Sequence, residues 1–189
     1  QFIQAEPASR VGLIPVLGPM RKLKAILLSS LAAISVQPLV FIAFFGIQLV
    51  AAGDLSSLVA VARYSFFPAV FSVPFVLFVG APATLALTHY GKLGWWPLAL
   101  IGSIAPAAPA ALSGPGGSPG YSSGGNWHGK HVDFVVNGEP TIYGWLSHLE
   151  SICFFGLHGL VGATAFYFVW CRSMGPNNSF KPNPLRGSA

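Results

Sequence analysis

Three side chains that commonly bind metal ions lie close together before the last apolar segment of the sequence. His128, His131 and Asp133 form an H-x-x-H-x-D pattern, and imidazole and carboxylate groups suit zinc and other divalent cations. Three ligands leave a zinc site open, so tight structural binding would need a fourth from His148 or Glu150. The other interpretation is a solvated loop whose polar residues share no ligand. The pattern therefore predicts weak metal binding at most.

The last apolar segment itself contains two ionisable residues. His158 and Glu150 are eight positions apart, and charged groups deep in a membrane are costly and usually functional. Together they predict a proton or ion relay in a transport protein. The alternative is a packed, hydrogen-bonded His158, with Glu150 at the level of the lipid headgroups near Trp145.

Several motifs of common catalytic and cofactor sites do not occur in the chain. There is no C-x-x-C, no G-x-x-x-x-G-K-[ST] and no H-E-x-x-H in the sequence. These patterns carry redox, phosphate-binding and metalloprotease chemistry. We therefore expect a protein that is not an enzyme and that holds no cofactor.

The composition predicts an integral membrane protein. Of the 189 residues, 53% are hydrophobic and 8% are charged, against about 25% charged in an ordinary soluble domain. An aromatic content of 13% excludes a disordered chain, because disordered segments are poor in aromatics and rich in charge. The net charge of +5 is a topology signal, so we expect lipid as the partner and no nucleic acid.

Charged residues divide the chain into four apolar segments, each long enough for a helical span of about 20 residues. The predicted spans are 25–51, 65–90, 95–112 and 145–171. Eight of the ten lysines and arginines lie in the N-terminal flank, between spans two and three, or in the C-terminal tail. Because short cytoplasmic segments carry an excess of Lys and Arg, the predicted fold is an all-α membrane protein with four transmembrane helices and both termini inside.

The segments outside the spans complete the predicted organisation. Residues 1–24 form a cytoplasmic segment, in which 1–19 are either a natural extension or sequence upstream of a native start at Met20. Residues 172–189 form a disordered cytoplasmic tail. The periplasmic loop 113–144 begins as a flexible Gly/Ser/Pro linker and continues as a β-hairpin around Asn137-Gly138, a strong turn signal.

Prolines and small residues are expected to shape the four-helix domain 25–171. Proline kinks a membrane helix and is also generally common in such helices; the positions are Pro38, Pro68, Pro74, Pro82, Pro106 and Pro109. Small residues let helices approach closely. Gly156, Gly159 and Ala163 therefore predict a packing surface, either within the bundle or towards a second copy or another membrane protein.

The stretch FVGAPATLALTHYGKLGWWPLALIGSIAPAAPAAL has an apolar helix with a G-x-P motif, a short basic loop and an aromatic-led helix rich in alanine. Over about 65–112 the chain resembles small uncharacterised polytopic inner-membrane proteins of bacteria, and the resemblance implies no activity. We expect a multi-pass inner-membrane protein that acts as a structural or interaction subunit of the envelope. The alternatives are a small transporter or ion-conducting oligomer, or a metal-dependent activity facing the periplasm.

The orientation predicts the outcome of reporter fusions. Fusions after Lys92 and after Arg172 should report a cytoplasmic location, and a fusion near Gly120 should report a periplasmic one, because the positive charge lies on the side of the termini. A cytoplasmic signal at Gly120 would contradict both the third span and the orientation.

Overall fold

The computed structural model describes residues 18–51 and 53–175, which form a helical bundle with a small sheet at one end. The helices are α1 (Gly18–Ser35), α2 (Gln37–Ala51), α3 (Leu58–Tyr64), α4 (Phe66–Phe75), a π-helical turn (Val76–Gly80), α5 (Ala81–His89), α6 (Trp95–Ser113) and α7 (Ile142–Met174). The strands are β1 (Ser123–Trp127), β2 (Lys130–Val136) and β3 (Glu139–Pro140).

Four continuous helical stretches are long and apolar enough to cross a membrane, which confirms the predicted fold class. They are Met20–Ala51, Leu58–His89, Trp95–Ser113 and Ile142–Met174. The sheet lies between the third and fourth of them, as predicted.

Three of the four helical stretches extend past the charged residues that bound the predicted spans. The first stretch begins before residue 25, the second contains Arg63 in its first helix, and the fourth includes Arg172. Long basic side chains keep their charge in water while the helix continues. Accordingly, residues 18–24 and 172–174 are helical. The rest of the predicted N-terminal segment and of the predicted tail lies outside the described residues, at 1–17 and 176–189.

The first two spans are interrupted near prolines, whereas the third is not. The break between α1 and α2 is at Val36, two residues before Pro38, whose ring removes a backbone donor and displaces the preceding turn. The π-helical turn Val76–Gly80 begins two residues after Pro74. Pro106 and Pro109 lie inside an unbroken α6, so only some of the predicted kinks form.

Two tight hairpins build the antiparallel sheet in the order β1-β2-β3. The predicted turn at Asn137-Gly138 joins β2 to β3, with φ values of 53° and 89°. His128 and Gly129 form the other turn, with φ values of 48° and 79°. Positive φ at both central residues matches the twist of a two-residue hairpin. Residues 123–126, the end of the predicted flexible linker, instead belong to strand β1 because β2 supplies their backbone partners.

The sheet is joined directly to the first turn of α7. The Thr141 N–H donates to the Phe134 carbonyl at 2.9 Å, and the Thr141 hydroxyl donates to the Asp133 carbonyl at 2.5 Å. The same hydroxyl oxygen accepts from the Gly144 N–H at 3.2 Å, which caps the helix. The sheet and α7 therefore hold a fixed relation to each other.

The small-residue stripe of α7 packs against α6. A Cβ at Gly102 would lie 2.5 Å from the Cβ of Ala163 and 2.9 Å from the Gly159 carbonyl oxygen. A Cβ at Gly159 would fall on the Gly102 carbonyl oxygen. Of the two predicted roles of Gly156, Gly159 and Ala163, packing within the bundle is the one observed. Because α6 covers this stripe, a partner subunit would have to bind another surface.

The bundle places polar side chains inside and large apolar ones outside. Thr84 and Ser29 are fully buried, while Phe78 is 79% exposed and Ile47 is 70% exposed. An apolar outer surface of this kind suits contact with lipid, and a soluble protein rarely exposes large apolar patches.

The two ends of the described chain meet at the end of the bundle opposite the sheet. The Arg21 guanidinium donates to the Met174 carbonyl at 2.9 Å, and a cation near a helix C-terminus stabilises the last carbonyl groups. Ala25, Leu98, Phe166 and Trp170 form the buried apolar cluster at this end.

A polar cap forms the turn between the first two spans. The Asp54 carboxylate accepts from the Ser57 hydroxyl at 2.6 Å and the Ser56 hydroxyl at 2.7 Å. These hydrogen bonds, that of Ser57 first, hold the pKa of Asp54 below its ordinary value. The turn thus keeps a half-buried negative charge at the level of the sheet.

The contact between α6 and α7 can be tested with two glycines of one helix. Gly159→Ala places a methyl group on the Gly102 backbone and should lower the free energy of unfolding by about 1–3 kcal/mol. Thermal unfolding of the purified protein in detergent measures the effect.

Gly156→Ala is the matched control. Its added methyl would meet the nearest atoms of Ser103 and Ala107 at 3.7 and 3.9 Å, which is ordinary contact. We expect the control to unfold close to wild type. Equal destabilisation by both variants would contradict the close approach at Gly159.

Candidate ligand-binding site in the bundle

A large cavity of about 820 Å³, open on one side, lies among the helices and is lined by residues from all four spans. Gly102, Ala105 and Gly159 line it from α6 and α7, and Phe67, Phe71 and Phe75 line it from the second span. Small residues on one side and aromatic rings on the other leave an apolar space. Its volume lies within the range of about 300–1,000 Å³ for small-molecule sites.

His158 is a buried polar residue in the wall of this cavity. Its Nδ1 lies 3.0 Å from the Phe154 carbonyl oxygen, and its ring packs on the Phe154 ring with centroids 4.2 Å apart. Since a carbonyl only accepts, we assign the proton of the neutral imidazole to Nδ1. The other nitrogen, Nε2, is buried without a hydrogen-bond partner among the described residues.

Gln37 connects α2 to the same part of α7 and was not identified from the sequence. Its amide nitrogen donates to the Ala33 carbonyl at 3.0 Å and to the His158 carbonyl at 3.3 Å. A Cβ at Gly162 would lie 2.7 Å from this nitrogen, so a glycine there makes room for the amide. The available signal was an amide within an apolar run, one residue before Pro38.

Glu150 belongs to the sheet end of α7 and not to the surroundings of His158. Its Oε2 accepts from the Trp127 indole N–H at 2.9 Å and lies 3.4 Å from His128 Nε2. Eight residues of helix separate it from His158, about 12 Å along the axis. The predicted pair thus lies at two levels of one helix.

The proposed metal ligands occupy different parts of the first hairpin. His128 lies in the turn and contacts Glu150, whereas His131 and Asp133 are exposed residues of β2. Two strand positions apart, these two residues share one face of the sheet. Within 18–51 and 53–175, no group of three or more His, Cys, Asp or Glu side chains is arranged to hold a metal ion.

A second, smaller pocket of about 300 Å³ lies between the sheet and α7. Tyr121 and Ser123 line it from the sheet side, and Ser147, His148 and Ser151 line it from the helix. His148 and Ser151 also line the large cavity. The two spaces therefore adjoin at these side chains.

The segment GGSPG at 116–120 fits the pattern G-x-S-x-G, so the expectation that the chain lacks this hydrolase motif is wrong. A nucleophile elbow requires its serine at a sharp turn from strand to helix. Ser118 instead lies exposed in the connection from α6 to β1. The match therefore has no hydrolase geometry.

Comparisons with protein-family models, with curated proteins and with solved structures found no match for this chain.

The hairpin geometry leads to a prediction about zinc. Calorimetric titration of the purified protein with Zn²⁺ should give an affinity weaker than micromolar, because a structural site needs four well-placed ligands. The His128→Ala, His131→Ala double variant should behave like wild type. Sub-micromolar affinity that disappears in this variant would contradict the prediction.

Proposed function

We propose that this chain is a non-enzymatic interaction subunit of the bacterial inner membrane that binds an apolar molecule within its bundle. The observation that carries the proposal is the apolar cavity of about 820 Å³ among the four spans. Apolar cavities exclude water and accept apolar molecules. The cavity walls consist mainly of aliphatic and aromatic groups, so van der Waals packing against these walls supplies the affinity, since lipid is already as apolar as the cavity.

The distribution of charge supports an orientation with both termini in the cytoplasm. Arg21, at the start of the first span, contacts the end of α7, and Lys92 lies in the turn between the second and third spans. Excess Lys and Arg are typical of the cytoplasmic side. On this proposal the sheet faces the periplasm.

A small transporter or ion-conducting oligomer is the second candidate function. It is favoured by the unpaired Nε2 of His158 in the cavity wall, since irregular helices and polar groups near the middle of a membrane occur in transporters. Glu150, the other predicted member of the relay, contacts Trp127 and His128. A transport path using both residues would therefore need a further group between them.

Photolabelling can test the proposed cavity. A diazirine derivative of hexadecane, added to the protein in nanodiscs of dioleoylphosphatidylcholine, should label cavity-lining peptides and be displaced by unlabelled hexadecane. Ala105→Phe fills the cavity from α6 and should reduce this labelling at least tenfold. Peptide mass spectrometry measures the labelled fraction.

Ile104→Phe is the matched control because Ile104 is the neighbouring residue and is 62% exposed on the outer surface. It adds the same ring outside the cavity and should label like wild type. Labelling that hexadecane does not displace, and that Ala105→Phe does not reduce, would contradict the proposal. Proton flux in liposomes that His158→Gln abolishes without lowering the thermal stability would favour the transporter.

A further inference from the structure

We infer that the molecule in the cavity is an amphipath with one long apolar chain and an uncharged headgroup that bears hydroxyls. The chain lies in the large cavity, and the headgroup lies in the smaller pocket between the sheet and α7. The inference rests on the proposed function, since it requires that the cavity be occupied. It specifies the chemical class of the ligand and that its polar end lies towards the sheet.

The two spaces follow one another along α7. The polar pocket is lined by α7 from Gly144 to Ser151, and the apolar cavity is lined by the same helix from His148 to Phe166. The overlap at His148 and Ser151 places a shallow pocket with polar side chains next to the apolar cavity. A ligand that occupies both must itself be polar at one end and apolar at the other.

The lining of the polar pocket suits an uncharged headgroup. Its polar side chains are the hydroxyls of Tyr121, Ser123, Ser147 and Ser151 and the imidazole of His148. Among the described residues, no lysine, arginine, aspartate or glutamate lines it. A charged headgroup placed there would lose hydration without gaining an ion pair, which is costly. Hydroxyls both donate and accept, so they pair well with the hydroxyls of glycerol or a sugar.

The cavity is deep enough for an ordinary lipid chain. Along α7 it extends from His148 to Phe166, or about 27 Å, and the first ten residues, as far as His158, span about 15 Å. The hydrocarbon core of a bilayer is about 30 Å thick, so a chain in one leaflet reaches about half of that distance. A chain whose headgroup lies at His148 therefore ends near His158, among the aromatic rings of Phe154 and its neighbours.

Competition with the hexadecane photolabel tests the inference. The competitors are hexadecane, which has no headgroup, monopalmitoylglycerol, which has an uncharged one, and palmitoyl lysophosphatidylglycerol, which has an anionic one. For wild type, we expect monopalmitoylglycerol to compete at a mole fraction at least tenfold lower than the other two.

Two variants remove headgroup contacts from opposite sides of the polar pocket. Ser147→Leu on α7 and Ser123→Val on β1 should abolish the advantage of monopalmitoylglycerol while hexadecane still displaces the label as in wild type. Ser118→Leu makes the same change as Ser147→Leu at an exposed loop position outside the pocket and should preserve the advantage. Displacement of the label by hexadecane is measured in each variant. A variant whose cavity has collapsed no longer shows this displacement, and the headgroup assignment is then tested with the other variant.

The outcomes separate the inference from the proposed function. If hexadecane displaces the label but monopalmitoylglycerol has no advantage, the headgroup assignment is wrong and the apolar site stands. If the anionic competitor is at least as effective, the uncharged headgroup is wrong. If no competitor displaces the label, both the proposed function and this inference fail.

Discussion

The close approach of α6 and α7 is the contact on which the rest of the bundle depends. Neither Gly102 nor Gly159 has room for a side chain, since an added Cβ would meet the backbone or Ala163 of the opposite helix. In a membrane, where lipid is as apolar as the helix surface, such backbone contact replaces the hydrophobic effect as the source of association. The fixed pair then forms one wall of the cavity, and α1 packs on the other side of α7.

The second span lines the side of the cavity that faces α6 and α7, and it does so with interrupted helices. Its helices are interrupted at Ser65 and at the π-helical turn Val76–Gly80, and its phenylalanines line the cavity opposite the glycines. A helix that bends at these points cannot pack along its full length as α6 and α7 do. Bulky rings against small residues therefore leave a space of ligand size. The hydroxyls of Ser72 and Thr84 donate to carbonyl groups one turn earlier, which satisfies them inside an apolar environment.

α7 connects the membrane part of the protein with the sheet. Its first turn is capped by Thr141, which also bonds to β2, and two turns further Glu150 accepts from Trp127 of β1. The sheet is thereby held over the end of the bundle where the large cavity adjoins the polar pocket. A ligand with a polar and an apolar end fits this arrangement, in which the polar pocket precedes the apolar cavity along α7. The sheet supplies part of the polar lining.

The sequence by itself determined the membrane class, the four spans and the turn at Asn137-Gly138, because length, apolar content and turn chemistry are local properties. It did not determine the strand 123–127, whose order comes from partners three to twelve residues away on β2. Nor did the sequence show whether Gly159 packs inside the bundle or against a partner. It also did not show that Gln37 lies beside His158. Those relations join residues 57 and 121 positions apart. Only the tertiary structure decided them, because a periodic pattern identifies the face of a helix but not the helix that covers it.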